Sequence, residues 1–340
     1  MSNQQTLFDI GINFISKQFQ NGVINNVIED SQKKGVKFMI GISNDTNEIQ
    51  PNKKLCEQYS GLYYTAGIHP HRVKKMSKAK FTRFEEFLAK EVANPNTKLV
   101  ALGECGLDYN RCFSTPEKQR PWFEKQLDLA MKFKLPLYLH CRDAHVDFVK
   151  ILSLPRFNFR GRAVVHCFTG SWKEMKEYLD MGFLIGITGW ICDQVRSGDL
   201  TDAVHQACND SDYKKKFLKS LMIETDSPWL TPKGLKPRPK FNTPDKIIHV
   251  LRKLSELTGV EEQKLSKLVF HNSCRFFGIG DTDKKNKEPE TKMSEMTRNE
   301  FPDLCKSKHR KHSETKHAEE KHVGGSWATP GRLLERLKSK

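Results

Sequence analysis

Eight short apolar runs, rich in Val, Ile, Leu and Tyr, recur along the first 230 residues. They begin near Leu7, Lys37, Leu62, Leu99, Pro136, Ala163, Leu184 and Leu221, at intervals of 21 to 37 residues. Between most of them lie segments of helical period, namely Phe81–Val92, Glu117–Lys134, His145–Leu154 and Lys173–Met181. A strand, a helix and another strand every ~30 residues mark parallel βαβ units. Near-continuous apolar strands such as Leu99-Val100-Ala101-Leu102 suit a sheet covered on both faces. Eight units predict an α/β fold closed into a (β/α)8 TIM barrel. An open doubly wound sheet is the alternative, but no G-x-G-x-x-G turn supports it.

Several helix ends are readable. Ser114-Thr115-Pro116-Glu117 offers a hydroxyl cap, a proline in the first turn and then an acid. Ser171-Trp172-Lys173-Glu174 fits a capping box. Gly35 and Gly182 stand where helices stop before the next strand. Two further helical segments, Thr243–Leu257 and Glu261–Phe277, follow the eighth run. The first is expected to be the last barrel helix and the second an extra C-terminal helix beside it. From Asp281 onward Lys, Glu, Ser and Thr dominate, with His309, His312, His317 and His322. Residues 281–340 are therefore expected to form a disordered basic tail after a barrel domain of residues 1–280.

The formal net charge is +16, and +12 of it belongs to residues 1–280. A surplus of that size on the folded part favours a polyanionic partner over solubility alone. The nine cysteines have no regular short pairing. Neither a signal peptide nor an apolar run approaching ~18 residues is visible. A monomer with reduced thiols is expected, in the cytoplasm and/or the nucleus and without a membrane span.

Function in such a barrel collects where the strands end, because the βα loops meet there. Run three ends at His69, run four at Glu104, run five at His140, run six at His166 and run eight at Asp226. Adjacent strands lie about 4.8 Å apart. Glu104, His140, His166 and Asp226 can therefore converge above the barrel as ligands of a divalent metal. Mixed nitrogen and oxygen donors admit Zn²⁺, Mn²⁺, Fe²⁺ or Co²⁺, and Mg²⁺ if it keeps several waters. Cys105, Cys141 and Cys167 each follow one of these ligands, and strand alternation points their thiols away.

At these residues the sequence closely resembles the TatD family of metal-dependent deoxyribonucleases, among the amidohydrolase-like barrels. The matching stretches are Thr-Ala-Gly-Ile-His-Pro-His (65–71), Gly-Glu-Cys-Gly-Leu-Asp (103–108), Leu-His-Cys-Arg-Asp-Ala (139–144), His-Cys-Phe-Thr-Gly (166–170) and Ile-Glu-Thr-Asp-Ser-Pro-Trp (223–229). Asn272 with Phe276-Phe277 resembles the family's closing helix, and the likeness spans residues 6–280. Many amidohydrolase-like barrels begin with His-x-His, and here Gly11 and Asn13 stand in that place. The resemblance implies a 3′→5′ exonuclease on single-stranded DNA, with action on RNA in some members. It also implies one or two divalent ions, Mg²⁺ first and Mn²⁺ or Zn²⁺ as alternatives.

On this reading Glu104, His140, His166 and Asp226 hold metal, and Asp226 doubles as general base. His69 contacts the phosphate or protonates the leaving oxygen. Arg142, with Lys236 and Arg238 in the loop Lys233–Lys240, is expected to bind substrate phosphates. Trp190, Trp229 and Phe168 are available to stack on bases. Two other readings remain: a metal-dependent hydrolase of a small amide or ester, and a non-catalytic nucleic-acid-binding barrel.

Overall fold

The computed structural model describes residues 5–280; the tail expected over 281–340 lies outside the described residues. The apolar runs are strands β1 (Leu7–Ile12), β2 (Val36–Gly41), β3 (Leu62–Ala66), β4 (Leu99–Asp108), β5 (Leu137–Arg142), β6 (Ala163–Val165), β7 (Leu184–Ile187) and β8 (Leu221–Ile223). They form one parallel sheet in chain order, each strand pairing with its sequence neighbours. The seam between first and last strands is stitched beyond β8. There Ile12 bridges Ser227, the Asp226 N–H donates to the Gly11 carbonyl at 2.9 Å, and the Asn13 N–H donates to that of Ser227 at 2.8 Å. The sheet is thus closed, and the open doubly wound alternative falls.

Between the strands run α1 (Val23–Lys33), α2 (Thr46–Gln58), α3 (Lys78–Ala93), α4 (Pro116–Phe133), α5 (His145–Leu152) and α6 (Trp172–Asp180). The long interval after β7 holds two helices, α7 (Gly198–Asn209) and α8 (Lys214–Ser220), and α9 (Ile247–Thr258) and α10 (Glu262–Phe277) follow β8. The capping box at Ser171 and Glu174 is formed in both directions. The expected hydroxyl cap of α4 is not. Pro116 opens that helix, but Thr115 makes no side-chain cap bond, and the Ser114 hydroxyl instead accepts the Lys74 N–H at 3.0 Å.

The barrel interior is filled from alternate strand positions, with Phe8, Ile10, Phe38, Ile40, Tyr138, Val164, Leu184 and Met222 in one cluster. Helix α10 packs against α9 as expected, and its far end also corks the N-terminal mouth. Phe277 and Ile279 join the interior cluster, Phe270 stacks on Phe38 at 5.7 Å, and Asn272 donates to the carbonyls of Leu218 and Leu221. The opposite mouth, where the strands end, carries the polar residues predicted for the site.

On the outer layer the buried Glu91 of α3 ties three elements together. It accepts from Tyr64 of β3 at 2.7 Å, from Thr97 at 2.8 Å and from Lys53 of α2. Burial alone would raise its pKa, but the bonds from Lys53, Tyr64 and Thr97 outweigh it and hold the carboxyl below its usual range. A depressed folded pKa stabilises the protein above the unfolded value and stops doing so as pH falls through the folded one. Glu91→Gln is therefore expected to cost about 1–3 kcal/mol at pH 7. Urea unfolding below the unfolded carboxyl value of ~4.3 should show that difference shrinking. An equal gap at both pH values would disprove the assignment.

Candidate metal centre

Glu104 lies in β4 with its carboxylate under the open mouth, and one of its oxygens is a meeting point. Oε1 is 2.7 Å from His166 Nε2, 2.8 Å from His140 Nδ1 and 3.4 Å from His69 Nε2. Each of the first two rings has a second carboxylate behind it. His140 Nε2 is 3.1 Å from Asp108 Oδ2, and His166 Nδ1 is 3.5 Å from Glu224 Oε2. A neutral imidazole has one proton and can donate to only one of its two flanking oxygens. The other nitrogen then faces an oxygen lone pair to lone pair, a gap that a second ring proton or a metal cation fills. Both rings offer that gap to the same Glu104 oxygen, and His166 Nδ1 is buried without a well-formed hydrogen bond. The residues therefore fit a divalent ion, with Asp108 and Glu224 orienting the rings from behind.

The electrostatics agree with a site built for positive charge. Burial opposes ionisation of His166, yet Glu104 and Glu224 overcome it and hold its pKa well above the usual range. Burial likewise works against Glu104, while His166 and His69 pull it well below. Asp226 is pushed up to about 7, chiefly by burial; His166 opposes this, and Glu104 and Glu224 add to it. Its Oδ1 accepts from Asn13 Nδ2 at 2.8 Å, and Asn13 Oδ1 accepts in turn from Asn44. Asn13, at the second position of the replaced His-x-His, thus steers Asp226.

His69 behaves differently from the other two rings. Its ligand atom lies within 4.8 Å of those of Glu104 and His140, a spacing that alone permits a shared ion. Its Nδ1, however, accepts the N–H of His71 at 3.1 Å. A neutral ring in that position carries its proton on Nε2, the nitrogen aimed at Glu104, and a protonated nitrogen has no lone pair for a metal. Burial, against the pull of Glu104, lowers the pKa of His69 to about 4, so the neutral ring prevails at pH 7. It presents an N–H donor at the mouth.

Three participants were missed from the sequence. Glu224 is fully buried; Oε1 accepts the Cys167 N–H and Oε2 accepts the Tyr138 hydroxyl. Asp108 accepts from His140 and sits 2.9 Å from His71 Nε2. His71, the last residue of the 65–71 stretch, stands edge-on to the His69 ring at 4.4 Å. Strand period offers the missing signal, because Glu224 is two residues before Asp226 and Asp108 four after Glu104. Behind Glu224, the buried Asp9 accepts from the Thr225 backbone and hydroxyl and fixes the turn that carries Asp226.

A cleft of about 810 Å³ opens over the cluster, lined by Asn13, Asn44, His69 and His71 near the centre and by Lys17, Arg72, Lys74, Lys75, Arg111, Phe113 and Trp229 around it. Arg142, Lys236 and Arg238 are exposed but do not line it. The basic wall comes instead from the loops after β1, β3 and β4. Trp229 is half exposed in the cleft, as is Phe113, whereas Phe168 is buried against Tyr178 and Trp190 is held under Arg196. Cys105 is fully buried away from the cleft, as alternation requires.

A family model described as TatD related DNase matches residues 8–278. The chain is 38% identical to the 3'-5' ssDNA/RNA exonuclease TatD of Klebsiella pneumoniae (strain 342), over 80% of this chain and 98% of that protein. It is 36% identical to the protein of the same name from Escherichia coli (strain K12), over 80% of this chain and 99% of that one. Among solved structures, YJJV, a TatD homolog from E. coli K12, superposes with a TM-score of 0.70 at 26% identity, covering 80% of this chain and 98% of that one. Barrel and site together define a metal-dependent hydrolase. Within that class, the chain belongs to the TatD-related DNase family.

Proposed function

We propose that this protein is a divalent-metal-dependent exonuclease that degrades single-stranded DNA, and RNA as well, from the 3′ end. The observation that carries the proposal is the convergence of His140 Nδ1 and His166 Nε2 on one Glu104 oxygen, each ring backed by a further carboxylate. Relatives named for this activity, matched over nearly their whole length, support it. The basic cleft favours a polyanion over a small amide or ester.

Glu104, His140, His166 and Asp226 would hold the ion, Mg²⁺ or Mn²⁺ by preference and Zn²⁺ as an alternative. The chemistry such an ion supplies when bound is neutralisation of phosphate charge and acidification of water. Asp226, steered by Asn13, accepts the proton of the attacking water. His69 donates its Nε2–H to a phosphate oxygen and so positions the scissile group. Its neutral ring makes this the better of the two roles read for it. Asp108 and Glu224 keep the two ligand rings in one orientation and tautomer. Trp229 and Phe113 offer stacking faces for the terminal bases. Arg142, Lys236 and Arg238 extend the basic rim beyond the cleft. The enzyme works as a monomer in the cytoplasm or the nucleus, a setting consistent with the free thiols of all eight described cysteines.

The test uses single strands labelled at either end, with metal stripped and Mg²⁺, Mn²⁺ and Zn²⁺ returned singly. Cleavage should vanish on stripping, return with Mg²⁺ or Mn²⁺, and release mononucleotides first from the 3′ end. Full activity in chelator, or products appearing first from the 5′ end, would overturn the reading.

A further inference from the structure

The cleft over the cluster does not end at its own wall. A second groove of about 460 Å³ adjoins it, and Arg72 and Lys75 line both. This groove lies where the first turns of α2 meet α3. Lys80 and Arg83 stand on its α3 side, and Phe87 is half-buried among its lining residues.

Seven cations line this path against two carboxylates. Among the described residues, none of Lys17, Arg72, Lys74, Lys75, Lys80, Arg83 and Arg111 forms an ion pair. The two acids that line the grooves are engaged with their own backbone: Asp45 caps α2 through the Asn47 N–H, and Glu48 accepts the Asn44 N–H. A row of uncompensated cations repels itself and gains nothing until a polyanion lies along it.

We infer that the single-stranded substrate runs from the reaction centre over Arg72 and Lys75 into the groove between α2 and α3. There Lys80 and Arg83 hold phosphates of nucleotides remote from the scissile bond, and Phe87 offers a stacking face. This rests on the nuclease reading and adds the path of the strand. It also relocates the main nucleic-acid track from the Lys233–Lys240 loop to the β3–α3 side. A strand too short to reach the groove gains nothing from it.

The experiment compares the full chain with its Lys80→Ala/Arg83→Ala variant. Both side chains are exposed on α3, and unfolding temperature checks that the helix is intact. Equilibrium binding of a trinucleotide and of a strand of ~16 nucleotides is measured with metal chelated, across a range of salt. The long strand should bind about tenfold more weakly to the variant. Its log–log salt slope should flatten by about 1.4, at ~0.7 per lost single-strand contact. Trinucleotide affinity should stay at the wild-type value. An unchanged slope for the long strand, or equal losses at both lengths, overturns the inference. Cleavage of the trinucleotide by the wild type, with metal restored, scores the nuclease reading separately.

Discussion

Glu104→Gln is expected to slow strand cleavage by about three orders of magnitude, with the barrel still folded. Gln fills the same volume, so the barrel interior need not repack. What it removes is the charge shared by three imidazoles, of which His166 and His140 lie 2.7 and 2.8 Å from a single oxygen. Without it the two rings no longer converge on an anion, and the proposed ion would lose a ligand. Asp226→Asn should produce a loss of similar order, because the amide cannot accept the proton of water. The measurement is single-turnover cleavage at saturating Mg²⁺ or Mn²⁺, with unfolding temperature recorded alongside. Rates within tenfold of wild type in both variants would remove Glu104 and Asp226 from the site.

Gly11→Ala should damage both stability and cleavage, although it adds one methyl group. A Cβ at that position would lie 2.3 Å from the Tyr138 hydroxyl and 2.4 Å from Glu224 Oε2. Both neighbours are fully buried and bonded to each other, so neither can swing clear. Overpacking of this kind costs about 1–3 kcal/mol, and a strained Tyr138–Glu224 bond adds to it. Displacing Glu224 also withdraws the carboxylate behind His166, and loss of such support typically lowers activity about 10–100-fold. Adding Tyr138→Phe removes one of the two clashing atoms. The double variant should then be less damaged than the two single losses combined. Strict additivity of unfolding free energies would mean that the Tyr138–Glu224 pair does not fill the space above Gly11.

This clash explains what the sequence could and could not disclose. The alternation of apolar runs and helical segments was enough to count eight strands and close them, because strand burial and helix period are local properties. The four predicted ligands lie within strands or just after them, and position along a strand is equally local. Gly11 read only as a missing imidazole. That a tyrosine 127 residues later and a glutamate 213 residues later fill the space is a fact of three dimensions. The same limit hid the strand path proposed above. The basic loop Lys233–Lys240 is conspicuous as a string of letters, whereas Lys17, Arg72, Lys75, Arg83 and Arg111 are scattered and become one path only on the folded surface. The missing hydroxyl cap at Thr115 has a similar cause, since Ser114 is drawn off by a backbone group 40 residues away.

The seam of the barrel ties closure of the fold to the proposed chemistry. Asp226 bonds its own amide to Gly11 and its side chain to Asn13, so on the proposed assignment the turn after β8 both locks the cylinder and brings in the base. Every nascent chain that stops short of that strand carries Glu104, His140 and His166 without their fourth partner. On the proposed assignment, a chain cut short before this turn has neither a closed seam nor its general base.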